Sequence, residues 1–148
     1  MDTGEVKLET IFRVTVTRLW KALTDIHEMK QWYFPMLEAF LPEPGFETVF
    51  TVHNEGQEYP HRWKITEAIP NQKLGYSWRF DGFPGDSLLS FELFEVPEGT
   101  KLRLVHSGLQ SFQPKQHPQL SKDNFEAGWN QIIGTALKTY LEQHPDAP

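Results

Sequence analysis

An α+β fold, a set of strands closed by a single long helix, follows from three features of this chain. Residues 121 to 143 favour helix, with Phe125, Trp129, Ile132, Ile133, Ala136, Leu137, Tyr140 and Leu141 recurring at three-and-four spacing. Before that helix, roughly seventy residues alternate apolar and polar side chains with the period of strands, and they are rich in aromatics. Turn chemistry separates the alternating runs: Asn54-Glu55-Gly56, Pro70-Asn71 and Pro97-Glu98-Gly99. A helix laid across a set of strands can leave a lined hollow between the two, and that hollow is the functional question.

The elements follow in order. From Val6 to Val16, Leu8, Thr10, Phe12 and Val14 share one face and Lys7, Glu9 and Arg13 largely take the other, the pattern of a half-buried strand. Thr17 can cap a short helix to Thr24, in which Leu19, Trp20 and Leu23 share a side. Thr24 or Asp25 caps a further turn that reaches Trp32, and Pro35 stops it, because proline disfavours helical geometry in the preceding residue. After a loop at Pro42, Pro44 and Gly45, the residues Phe46, Thr48, Phe50 and Val52 alternate with Glu47, Thr51 and His53. A third strand, His61 to Ile69, presents His61, Trp63, Ile65, Glu67 and Ile69 on one face. Leu74, Tyr76, Trp78 and Phe80 make the cleanest apolar stripe. Leu89, Phe91 and Leu93, then Leu102, Leu104 and His106 after the turn, complete the strands. Residues 107 to 120 are polar, contain Gly108, Pro114 and Pro118, and read as a long loop of the kind that often forms a lid or binding segment. His144-Pro145 ends the final helix. No linker or repeat interrupts the series, so residues 1–148 are expected to form one domain.

Composition excludes several function classes. The 14 basic residues are outnumbered by 20 acidic ones, net charge is -6, and the basic residues are scattered; nucleic acid is therefore not an expected partner. No apolar stretch approaches the ~20 residues that span a bilayer. The chain has no cysteine, which removes disulfides, thiolate metal sites and cysteine nucleophiles together. With no basic start followed by an apolar stretch at the N-terminus, the expected location is the cytoplasm. A chain of 148 residues buries roughly 70% of the surface that its unfolded form exposes, enough for a core without staples.

Three local signatures occur together here: Val14 to Trp32 with its Leu19-Trp20-Lys21-Ala22-Leu23-Thr24-Asp25, the return strand Gly99 to Gly108, and Gly128-Trp129 in the last helix. In order and spacing they resemble the START-like or Bet v 1-like (SRPBCC) superfamily, and within it proteins similar to the C-terminal domain of the activator of Hsp90 ATPase. The resemblance covers nearly the whole chain. It implies a helix-grip fold, a curved antiparallel sheet of about six strands wrapped around the long C-terminal helix, with two short helices after the first strand. It also implies a cavity for lipids, sterols, polyketides or other apolar molecules. The Hsp90 activator carries a separate N-terminal domain that contributes to chaperone binding, whereas this sequence begins directly with its first strand.

The inward faces supply the candidate site. Phe12, Phe50, Trp63, Trp78, Phe91 and Leu104, with Trp129 and Ile133 from the helix, could line an apolar pocket or simply fill the core. By strand phase Glu67 and His106 fall on the same side, where burying a polar group without a partner costs roughly 1 to 3 kcal/mol. Such a pair could hold a ligand hydroxyl or carbonyl, or move a proton. In the structural alternative His106 bonds loop backbone and Glu67 pairs with an arginine, and a single bulge would reverse the phase argument altogether. His27, His53, His61, His117 and His144 lack metal-ligand spacing and read as scattered surface histidines, so no metal and no tight cofactor is expected. Trp32-Tyr33-Phe34 beside Pro35 suits a pocket mouth, an exposed patch or packing beneath the short helices. The expected function is binding of a small hydrophobic molecule, with an entrance near the 107 to 120 loop. Its rivals are a cyclase, dehydratase or hydrolase acting on a polyketide-like substrate, and an accessory to an Hsp90-type chaperone. An apolar surface edge could also support a homodimer.

Overall fold

The computed structural model describes residues 4–145; the two ends of the expected 1–148 domain, residues 1–3 and 146–148, lie outside the described residues. Six strands pair antiparallel in the order β1-β6-β5-β4-β3-β2. They are β1 (Val6–Phe12), β2 (Glu47–Asn54), β3 (Gln57–Ile69), β4 (Lys73–Phe80), β5 (Ser87–Val96) and β6 (Gly99–Ser107). The turn residues account for the hairpins. Glu55 and Gly56 both adopt positive φ, 51° and 78°, the backbone that a two-residue hairpin turn needs to match strand twist. Gly99 opens β6 at φ 146°, and a side chain there would run into the Phe12 carbonyl.

Two short helices follow β1: α1 (Val16–Thr24) and α2 (Ile26–Trp32). The first strand stops at Phe12, short of the expected Val16, and the helix starts earlier than Thr17. Thr15 is the cap: it stays extended and its side chain accepts from the Arg18 N–H at 3.1 Å. The Val14 carbonyl is taken instead by the hydroxyl of Thr100 in β6 at 2.9 Å. Asp25 caps α2 as expected, accepting from the N–H groups of His27 and Glu28.

Residues 107 to 120 are more ordered than a polar loop. Two short 3-10 turns, Leu109–Phe112 and Pro118–Leu120, bury Leu109, Phe112 and Leu120, so three apolar anchors hold the segment down. Ser121 then caps α3 (Lys122–Gln131), which continues through a π-helical stretch, Ile132–Leu137, into α4 (Lys138–Gln143). The widened stretch contains Ile132, Ile133, Gly134 and Thr135 in succession, all weaker α-helix formers than Ala or Leu. Among the described residues, no helix is long and apolar enough to cross a membrane.

The core lies between the concave sheet and this helix. Trp63, Tyr76, Leu89, Phe91 and Leu104 face Trp129, Ile133 and Leu137, all essentially inaccessible. The far end of the helix is pinned by charge. Tyr140 donates to Glu28 at 2.8 Å, Glu28 pairs with Arg18 at 2.7 Å, and the Arg18 Nε–H donates to the His144 carbonyl at 2.8 Å. Removing one member of such a buried pair would strand the charge of the other.

Candidate functional site

At the other end the helix and sheet part, leaving a cleft of about 340 Å³. Tyr59 and His61 of β3 and Trp78 and Phe80 of β4 form the sheet side. Phe125, Gly128, Trp129 and Ile132 form the helix side, and Phe34, just after α2, closes the inner edge. Gly128 helps to make the space, since a Cβ there would meet no atom within 4 Å. Polar groups gather where the wall includes His53 and Asn54 at the end of β2 and Gln119 and Asn124 beside the helix start. The expected position near residues 107 to 120 is matched only at Gln119 and Leu120.

The strand pairing explains which groups reach the cleft. In β3, Ile65 pairs with Tyr76 but Glu67 pairs with Gly75, so Thr66 is the extra residue of a bulge. Gly75 suits that irregularity, because a Cβ there would lie only 3.1 Å from the Thr66 hydroxyl. Beyond the bulge the faces exchange. Glu67, expected to face inward with the aromatics, instead has 43% of its side chain exposed and pairs with Lys73 at 3.3 Å. It stands apart from His106 and outside the cleft, and the inferred Glu67–His106 pair does not form.

His106 is fully buried, and both of its ring nitrogens are engaged. The Trp129 indole N–H donates to Nδ1 at 3.1 Å, and Nε2 lies 2.8 Å from the Ser87 hydroxyl. That hydroxyl donates to the Trp78 carbonyl at 2.6 Å, so Nε2 must carry the hydrogen and donate to Ser87. Burial pushes the His106 pKa down to about 3, and the ring is neutral. Its partners tie the helix to β4 and β5; nothing is left over for a ligand.

His61 differs. It is 6% exposed rather than on the surface, stacks on Phe50 at 4.9 Å and lines the cleft. Its Nδ1 lies 2.8 Å from the Tyr59 carbonyl, which can only accept, so Nδ1 carries the hydrogen. Nε2 is then a bare acceptor. No described residue bonds to it, and it is not among the sealed, partnerless atoms, unlike the indole nitrogens of Trp63 and Trp78. Burial lowers the His61 pKa to about 4 against the weaker upward pull of the Tyr59 bond.

Of the side chains expected at a pocket, Trp78 and Trp129 line the cleft. Phe50 and Trp63 sit one layer behind, with Phe50 5.0 Å from Phe34 and 4.8 Å from Trp63. Phe12, Phe91, Leu104 and Ile133 are buried without lining the cleft. The Trp32-Tyr33-Phe34 run divides: Trp32 donates to the Ala22 carbonyl at 2.8 Å, Tyr33 shares a hydroxyl bond with Tyr76 at 2.9 Å, and only Phe34 reaches the cleft. Sequence reasoning missed His61, Phe80, Phe125 and Gly128 as lining residues, while Phe34 belongs to the run it offered as a pocket mouth. For His61 the signal was present, since it alternates in phase with Trp63 and Ile65. No three His, Asp or Glu side chains stand together as a metal site among the described residues.

Known proteins place this architecture. The family model for activator of Hsp90 ATPase homolog 1-like proteins matches residues 13–142. No curated protein matches the chain. Among solved structures, protein MLL2253 from Mesorhizobium loti is 24% identical with a TM-score of 0.76, covering 94% of this chain and 97% of that one. Protein CV1439 from Chromobacterium violaceum is 19% identical with a TM-score of 0.79 and the same coverage. DynU16, from the dynemicin biosynthetic locus, is 22% identical with a TM-score of 0.75; 96% of this chain matches 48% of that one. These likenesses establish the helix-grip fold. With the family match spanning residues 13–142, the chain belongs to the activator of Hsp90 ATPase homolog 1-like family.

Proposed function

We propose that this protein, acting as one cytoplasmic domain, binds a small and largely apolar molecule in the cleft between β3, β4 and α3. One observation carries the proposal: the cleft of about 340 Å³ is walled by aromatic rings from three elements yet has polar side chains at His53, Asn54, Gln119 and Asn124. Small-molecule sites typically run from roughly 300 to 1,000 Å³ with this apolar wall and few polar groups. Apolar burial would contribute near 25 cal/mol per Å² before ordering costs are subtracted. The family's helix-grip fold and the biosynthetic locus of DynU16 are compatible with a small-molecule ligand. A chaperone partner, suggested by the family description, and a homodimer have no comparable support in the cleft.

Calorimetric titration with fatty acids, sterols, flavonoids and aromatic polyketides tests the proposal. Saturable binding of at least one class, lost when Gly128→Leu fills the cleft, is the expected result. Binding that survives Gly128→Leu unchanged, or no binding across the panel, would count against it.

A further inference from the structure

The cleft is chemically asymmetric in a way that narrows its ligand. Among the described residues its lining contains no aspartate, glutamate, lysine or arginine, so a charged head group would find no countercharge there. A carboxylate offers only acceptors. The group that most needs a partner, His61 Nε2, is itself an acceptor, because the Tyr59 carbonyl fixes the hydrogen on Nδ1. The ring cannot easily rotate to change this. It is wedged between Phe50 at 4.9 Å and Phe80 at 4.7 Å, with Trp78 at 5.3 Å. Around it the wall presents the rings of Phe34, Phe125 and Trp129, which favour flat aromatic molecules over flexible chains.

We propose that His61 is the specificity residue of the cleft, accepting a hydrogen bond at Nε2 from the hydroxyl of a neutral aromatic ligand of the phenol class. This rests on the small-molecule reading above and deepens it, turning a general apolar site into one that asks for a donor. Burial supports the arrangement by keeping the imidazole uncharged at neutral pH. Among the described residues the other titratable side chains in the lining are His53 and Tyr59, and His53 stands in β2.

Three matched probes test the proposal: 2-naphthol, 2-methoxynaphthalene and 2-naphthoate, each titrated against the wild-type protein, His61→Phe and His61→Gln. The wild type should prefer naphthol over its methyl ether by about three- to tenfold, the contribution of one hydrogen bond, and bind naphthoate most weakly. His61→Phe should keep the ether's affinity while abolishing the preference. His61→Gln, which restores an acceptor, should recover part of it, and it also serves if the phenylalanine variant folds poorly. Equal affinity for naphthol and ether in the wild type, a preference surviving in His61→Phe, or naphthoate binding tightest would each overturn the role of His61 while leaving the cleft as a binding site. Failure of all three probes to bind would count against both the cleft reading and this one.

Discussion

His61 and His106 both contact Trp78, with ring centroids 5.3 and 5.4 Å away, and burial keeps both neutral. Their surroundings differ in one respect that decides their roles. His106 sits where helix and sheet meet without a gap, and its two nitrogens complete a relay from Trp129 through Ser87 to the Trp78 carbonyl. His61 lines the cleft where helix and sheet diverge, with one nitrogen spent on Tyr59 and no described residue bonded to the other. Burial of a polar side chain is therefore no sign of function by itself. Unspent hydrogen-bonding capacity beside free volume is the more telling feature.

The sharpest way to break this contrast is to replace each imidazole with a ring of similar size. His106→Phe removes an acceptor from Trp129 and a donor from Ser87, and should lower stability by about 2 to 4 kcal/mol in denaturant unfolding. His61→Phe sacrifices one exchangeable bond and should cost about 1 kcal/mol or less while removing the preference for hydroxylated ligands. Equal costs would erase the distinction.

Acid should reveal the two rings together. Each folded pKa lies below the ordinary value near 6.5, so the unfolded chain takes up the proton first and folding loses stability as pH falls. The loss begins near pH 6.5 and runs at about 1.4 kcal/mol per pH unit for each histidine, saturating for His61 near its folded value of about 4. Asp81, whose pKa the bidentate Arg62 contact holds down, contributes stability that fades only at more acidic pH. Unfolding free energies measured from pH 7 to 5 should fall, and either phenylalanine variant should show about half the wild-type slope. A flat profile would mean that the rings protonate in place.

Smaller effects sharpen the picture of the open end. Gly128→Ala should raise stability by about 0.5 to 1 kcal/mol, because the position is helical and the added methyl meets nothing. Gly128→Leu should likewise leave the protein at least as stable as the wild type while weakening ligand binding at least tenfold, about 1.4 kcal/mol. Least of all, Glu67→Gln should alter both stability and binding by less than about 0.5 kcal/mol, since its bridge to Lys73 is exposed. A large loss of binding in that variant would restore Glu67 to the site.

Much of the fold is legible in the sequence because its signals are local. Alternation from Leu74 to Phe80 and from Leu102 to His106 marks the inward faces, and the three-and-four pattern of Phe125 to Leu141 marks the helix. The site is less legible because it depends on relations between distant residues. Nothing near Glu67 announces that Thr66 will bulge opposite Gly75, yet that one residue moves the carboxylate to the other face. The partners that occupy His106 come from 19 and 23 positions away, and no local pattern discloses them. His61 has the inward phase of its strand, but only the Tyr59 carbonyl and the gap beside Gly128 turn it into an available acceptor.

The most direct test of a ligand site at the open end is a two-dimensional amide and indole NMR titration with whichever compound binds. Saturable shifts should centre on the Trp78 and Trp129 indoles and the amides of His61, Phe125 and Gly128, leaving the Arg18, Glu28 and Tyr140 amides of the pinned end still. Shifts confined to the pinned end or to the outer face of the sheet would contradict the account.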